Sequence, residues 1–126
     1  MSFLFDAMSV WLKRDSFEAV GRWTQIVGTI ALIATVTSGL IAKAEVTIAR
    51  GAQELLETHQ QIAFLVTVLA CSLLLWRIST RLLLPSKHRT IYIFISFATV
   101  ALTWIGAWHG GELVYAFGVG VRALAR

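Results

Sequence analysis

Between Trp23 and Ala42 the chain carries twenty consecutive residues without a formal charge, and that run limits the fold more than any other feature. At 1.5 Å of rise per residue it makes a helix about 30 Å long, the thickness of a bilayer's hydrocarbon core. Two comparable runs follow: one is centred on Ile62–Trp76 and the other begins at Thr90. The sequence is 57% hydrophobic and 14% charged, whereas soluble domains average about 45–50% and 25%. The expected fold class is therefore all-α: an integral membrane helical bundle with three transmembrane helices and a short interfacial N-terminal segment.

Within one domain of 126 residues, the boundaries are predicted as follows. Residues 1–15 form an interfacial or truncated helix, because residues 1–12 reach only about 18 Å as a helix and Asp6 and Ser9 interrupt them. The spans cover 19–43, 54–79 and 90–112, and 113–126 form an outer-surface tail. Asp15 with Glu18 reads as a capping box ahead of the first span. Gly28, Ala31, Thr35 and Gly39 set small side chains at helical spacing, the pattern of a helix-packing face in lipid. Ala34, Ser38 and Ala42 make a second such row, so a partner is expected in the form of a homo-oligomer or another protein's membrane helix. The basic stretch around Pro85, the only proline, marks a short loop. Cys71 is alone in its run, which leaves neither a disulfide framework nor a Cys-based metal site and reads as a small core residue. No cleavable leader is evident, so the first span is expected to act as its own insertion signal.

Cationic residues set the orientation. Lys13, Arg14, Arg22, Arg77, Arg81, Lys87 and Arg89 group at one end, against Lys43, Arg50, Arg122 and Arg126 at the other. With the excess inside, the N-terminus and the Pro85 loop are cytoplasmic and the C-terminus is periplasmic, in a bacterial inner membrane. That clustering accounts for the net charge of +4 without nucleic acid. Trp23, Trp76 and Tyr92 are expected at the inner interface, and Trp104, Trp108 and Tyr115 at the outer one. His88, between Lys87 and Arg89, reads as a headgroup contact.

The candidate chemistry lies at the outer end. If helices two and three turn near residue 84, His59 and His109 are equidistant from the turn and share one depth, and Gly39 reaches the same layer. Ala63 and Gly106 lie one turn further in and leave room for a flat ligand beneath the imidazoles. Imidazole nitrogen is an ordinary axial ligand of haem iron, so His59 and His109 are the candidate metal ligands of a b-type haem or related tetrapyrrole. Glu112, one turn beyond His109, could orient its ring. Two imidazoles on one iron need helix axes farther apart than the 8–10 Å of close packing, so the hairpin should splay at this end. Quinone binding near Trp104, Trp108 and His109 is the other cofactor reading. No catalytic residue is assigned, since there is no nucleophile elbow, phosphate loop or Cys-rich metal spacing. No carboxylate lies in the central spans, which argues against an ion pump or voltage sensor.

Gly110-Gly111-Glu112-Leu113-Val114-Tyr115, followed by Gly118-Val119-Gly120-Val121, resembles the end of the last helix in the family of domain of unknown function 2231, predicted bacterial membrane proteins. Arg14 to Phe17, Trp23, Gly28, Gly39, His59 and Trp76-Arg77 fall in the order that family uses. The resemblance implies four helices, the first opening with His-Pro and His-Phe-Pro signatures; here residues 1–6 resemble only the tail of that helix. Members are sometimes joined to redox domains. The family is functionally uncharacterised, so the resemblance implies an architecture and not a mechanism. The expected function is a small redox-associated membrane protein, or an accessory subunit of a respiratory or photosynthetic electron-transfer complex. The alternative is a structural subunit or assembly factor without its own cofactor.

Overall fold

The computed structural model describes residues 2–45 and 50–119, without the side chains of Glu45 and Arg50. Gly120, Val121, Arg122 and Arg126 lie outside the described residues, and with them the end of the glycine motif. Four α-helices account for nearly all of the rest: α1 (Ser2–Leu12), α2 (Asp15–Glu45), α3 (Gln53–Ser79) and α4 (Arg89–Tyr115), with a 3-10 turn at Arg50–Ala52 before α3. α2, α3 and α4 are each long and apolar enough to cross a bilayer.

α1, with 11 residues, is shorter than the three helices of spanning length. A sharp corner at Lys13, whose φ is 51°, folds α1 back along α2, and Phe5 stacks against Phe17 at 6.5 Å between ring centroids. Phe3 reaches Phe97 on α4, centroids 5.4 Å apart. Phe97 is eight residues into α4, or about 12 Å along it, so α1 stands upright among the other helices.

Both α2 and α4 run longer than expected. Asp15 is itself the first residue of α2, so it does not serve as a side-chain cap. Glu18 does not reach back along its own helix either: its carboxylate accepts the Leu84 backbone N–H in the α3–α4 loop. The capping-box reading is thereby corrected, because the loop offers Glu18 an unpaired donor that the helix start does not need it for. At the other end, Gly110 and Gly111 do not interrupt α4, which continues to Tyr115 before Gly118, at φ 62°, turns the chain and brings the Val119 N–H onto the Leu113 carbonyl. α3 closes on a similar device: Arg81 and Leu82 adopt positive φ, and the Leu82 N–H donates to the Arg77 carbonyl at 2.8 Å.

Most large apolar side chains face outward, among them Val27, Ile30, Leu75 and Phe94, as expected where the surrounding solvent is lipid. The buried positions are instead rich in polar groups. Thr29, Ser96 and Thr99 each donate to the carbonyl four residues earlier at 2.8–2.9 Å, which satisfies a hydroxyl inside an apolar bundle without a partner from another helix. The Gly28–Gly39 row does not pack on the chain's own helices: a Cβ added at Gly28 or Gly39 would meet nothing within 4 Å. No helix of this chain packs closely on these two glycines.

Candidate functional site

Two places in the bundle gather polar chemistry. The inner one was not foreseen. Arg77, in the last turn of α3, is fully buried, and so is Asp6 of α1. The guanidinium donates to both oxygens of the Asp6 carboxylate, at 2.9 and 3.0 Å, a bidentate pairing of strong geometry. It also donates to Gln25 Oε1 at 3.0 Å and to the Glu18 carbonyl at 3.2 Å. Gln25 Oε1 in turn accepts the Tyr92 hydroxyl at 2.6 Å. Residues from all four helices, α1, α2, α3 and α4, thus meet in a single network, and among the described residues no buried side-chain nitrogen or oxygen lacks a partner.

Three expectations are corrected by this network. Arg77 is not an exposed member of the basic loop. Tyr92 is not an interfacial belt residue, because its hydroxyl is consumed by Gln25 and its ring packs edge-on against Trp76 at 5.8 Å. The bundle does hold buried charge. Trp23, Trp104, Trp108 and Tyr115 do face outward. The missed signal was a lone carboxylate and a lone guanidinium, each set in apolar sequence. Such groups are tolerated inside a membrane protein only when paired.

The second site is a cleft of about 380 Å³ between α2, α3 and α4, within the usual size range of small-molecule sites. Leu32, Val36, Ile62 and Phe64 give it an apolar lining, and His59, Gly39, Ala63 and Gly106, all singled out in the sequence, stand on its wall. Its polar groups are Thr35, Thr103, Gln60, Lys43 and the His59 imidazole. Lys43 donates to Gln60 Oε1 at 2.6 Å and so ties the outer ends of α2 and α3 together.

His59 is held by α4. Its Nδ1 lies 2.8 Å from the Gly106 carbonyl oxygen, and because a carbonyl can only accept, Nδ1 carries the proton. The ring sits against Gly110, where an added Cβ would approach Cε1 to 3.0 Å, while one at Gly106 would approach Ile62 Cγ2 to 3.1 Å. α3 and α4 are therefore closely apposed here, and the expected splay of the hairpin does not occur. Glycine at 106 and 110 removes the Cβ atoms that would hold the helices apart. His59 thus lies at the level of residues 106–110, the level of His109.

His109 does not join the cleft lining. Its Nδ1 turns back to the Ile105 carbonyl of its own helix at 2.8 Å, and Glu112 is exposed beyond it. At the opposite end of α4, His88 is exposed, its ring 6.3 Å from that of Trp76.

Three apolar helices of spanning length, joined by a short fourth through a buried polar lock, define a multi-pass, all-helical membrane protein. Over residues 1–123 the chain matches the family described as predicted membrane protein (DUF2231), and it belongs to that family. No curated protein and no solved structure matches it.

Proposed function

We propose that the chain is a small redox-associated protein of a bacterial inner membrane, with its N-terminus cytoplasmic, and that it holds an apolar, ring-shaped cofactor in the outer cleft as an accessory subunit of an electron-transfer complex. The observation that carries this reading is His59. Its ring lines an otherwise apolar cleft, and its Nδ1 is committed to the Gly106 carbonyl, which leaves Nε2 as the nitrogen for a ligand. Backbone-anchored imidazoles of this kind are how histidine is oriented toward a bound group. A haem held by His59 and His109 together would require His109 to leave the Ile105 carbonyl and α3 to part from α4. A ligand served by His59 alone requires neither.

A second reading, a structural subunit that packs on foreign helices, is favoured by the outer half of α2. Ile30, Ile33, Leu40 and Ile41 face outward there, and Gly28 and Gly39 are uncovered. Purification in a mild detergent, followed by an absorption spectrum and organic extraction, separates the two readings. A Soret band or a stoichiometric extracted quinone supports the cofactor reading. A colourless protein that releases neither, yet remains bound to other membrane subunits, overturns it in favour of the structural one.

A further inference from the structure

At the other end of the bundle from the cleft, the corner between α1 and α2 and the start of α4 border a smaller cavity of about 210 Å³. That is less than the space of sites that enclose a whole small molecule and suits a single polar group. Its wall is largely polar: Lys13, Arg14 and Arg89 bring three cations, and Asp15 and Glu18 two carboxylates. Both carboxylates are already compensated. Glu18 accepts the Leu84 backbone N–H. Asp15, as the first residue of α2, stands at the positive end of that helix's dipole. The cations have no such partner. The Asp6–Arg77 pair is the only ion pair among the described residues, so Lys13, Arg14 and Arg89 border the cavity with no carboxylate within reach. The reversal of the chain at Lys13, with its φ of 51°, is what brings the first two to the third.

From three uncompensated cations around one group-sized cavity we infer that it holds the phosphate of an anionic phospholipid headgroup. Guanidinium groups meet phosphate through paired N–H···O bonds, and basic pockets between membrane helices are suited to such headgroups. Free phosphate has the same chemistry, but the surroundings favour lipid. Trp11 and Leu12, immediately before the corner, are exposed apolar side chains, and tryptophan is the side chain that seats at a bilayer interface. A lipid can therefore keep its acyl chains in the bilayer while its phosphate enters from the side. A zwitterionic lipid carries the same phosphate, but its own ammonium group would be set against the three cations.

The test is native mass spectrometry of the purified protein in a mild detergent, titrated separately with dioleoyl-phosphatidylglycerol and dioleoyl-phosphatidylcholine. The anionic lipid should be retained at about a tenfold lower concentration than the zwitterionic one. Arg14→Gln combined with Arg89→Gln should weaken its retention about twentyfold, at roughly fivefold for each cation beside an anionic headgroup. Arg81→Gln combined with Lys87→Gln removes the same charge from the same end of the bundle but outside the cavity, and should change retention less than about twofold. Lys13→Gln, at an exposed position, should weaken retention about fivefold by itself and serves if the first double variant fails to fold. In a separate arm, calorimetric titration with inorganic phosphate at millimolar concentration should show no binding. Equal retention of the two lipids, or equal weakening by the two double variants, overturns the inference, since the cations then act only as a diffuse positive surface. Binding of inorganic phosphate that depends on Arg14 and Arg89, without a preference between the lipids, overturns the lipid as ligand and assigns the cavity to a soluble phosphate.

Discussion

Arg77 and Asp6 are seventy-one positions apart in sequence, yet their side chains meet through two hydrogen bonds of 2.9 and 3.0 Å with both groups withdrawn from the surroundings. A pair of this kind is weak evidence for stability as such, because desolvation offsets much of the attraction, but breaking one side of it strands a charge. Here it also fixes position: α1 has no other buried polar contact to α3, so the pair sets the depth at which α1 sits against the spans.

Asp6→Ala should therefore cost about 3–5 kcal/mol of stability, read as a lowered unfolding midpoint in detergent. Asp6→Asn keeps an acceptor for Arg77 and should cost less. The double variant Asp6→Leu with Arg77→Leu should recover much of the loss, since it removes the stranded charge along with its partner. If Asp6→Ala and the wild type unfold at the same point, the pair is not formed in the membrane.

Gly21 makes the pairing sterically achievable. A Cβ at this position would collide with the Asp6 carboxylate, so Gly21→Ala should displace α1 and destabilise the protein, even though alanine in a helix interior ordinarily gains about 0.5–1 kcal/mol over glycine. In the Asp6→Ala background the same substitution should become neutral or favourable. This non-additivity, measured in a double-mutant cycle, distinguishes a steric clash with Asp6 from a general intolerance of α2.

The adjacent glycines of α4 should respond in opposite directions. An added Cβ at Gly110 would press on the His59 ring at 3.0 Å, whereas one at Gly111 would meet nothing within 4 Å. Gly110→Ala should cost about 1–3 kcal/mol through overpacking and disturb the His59 imidazole resonance in NMR spectra. Gly111→Ala should gain about 0.5–1 kcal/mol and leave that resonance in place. Equal effects at the two positions would mean that α3 and α4 do not approach each other as described.

Orientation can be read with reporter fusions. The excess of cations at the Lys13, Arg22 and Arg81–Arg89 end should retain that end in the cytoplasm. A reporter active only in the periplasm should be silent when fused at Pro85 and active when fused after Arg50. The reverse pattern would invert the proposed topology.

The sequence alone determined the all-helical class and the presence of three helices long and apolar enough to span a membrane. Twenty uncharged residues in a bilayer have one common solution, the helix that satisfies its own backbone, and that argument needs no knowledge of neighbours. It also set His59, His109 and Gly39 at one depth, with Ala63 and Gly106 one turn further in, because helical rise converts residue counts into depth. Depth is not direction. Which way a side chain faces depends on how each helix is rotated, and that is settled by contacts between helices: His59 turns to the Gly106 carbonyl, while His109, at the same level, turns back to Ile105. The Asp6–Arg77 pair lay out of reach for the same reason. Each residue by itself reads as an interruption or a loop charge. Only the fold-back of α1 over Gly21, where the missing Cβ leaves room for a carboxylate, puts the two charges where neither could remain buried without the other.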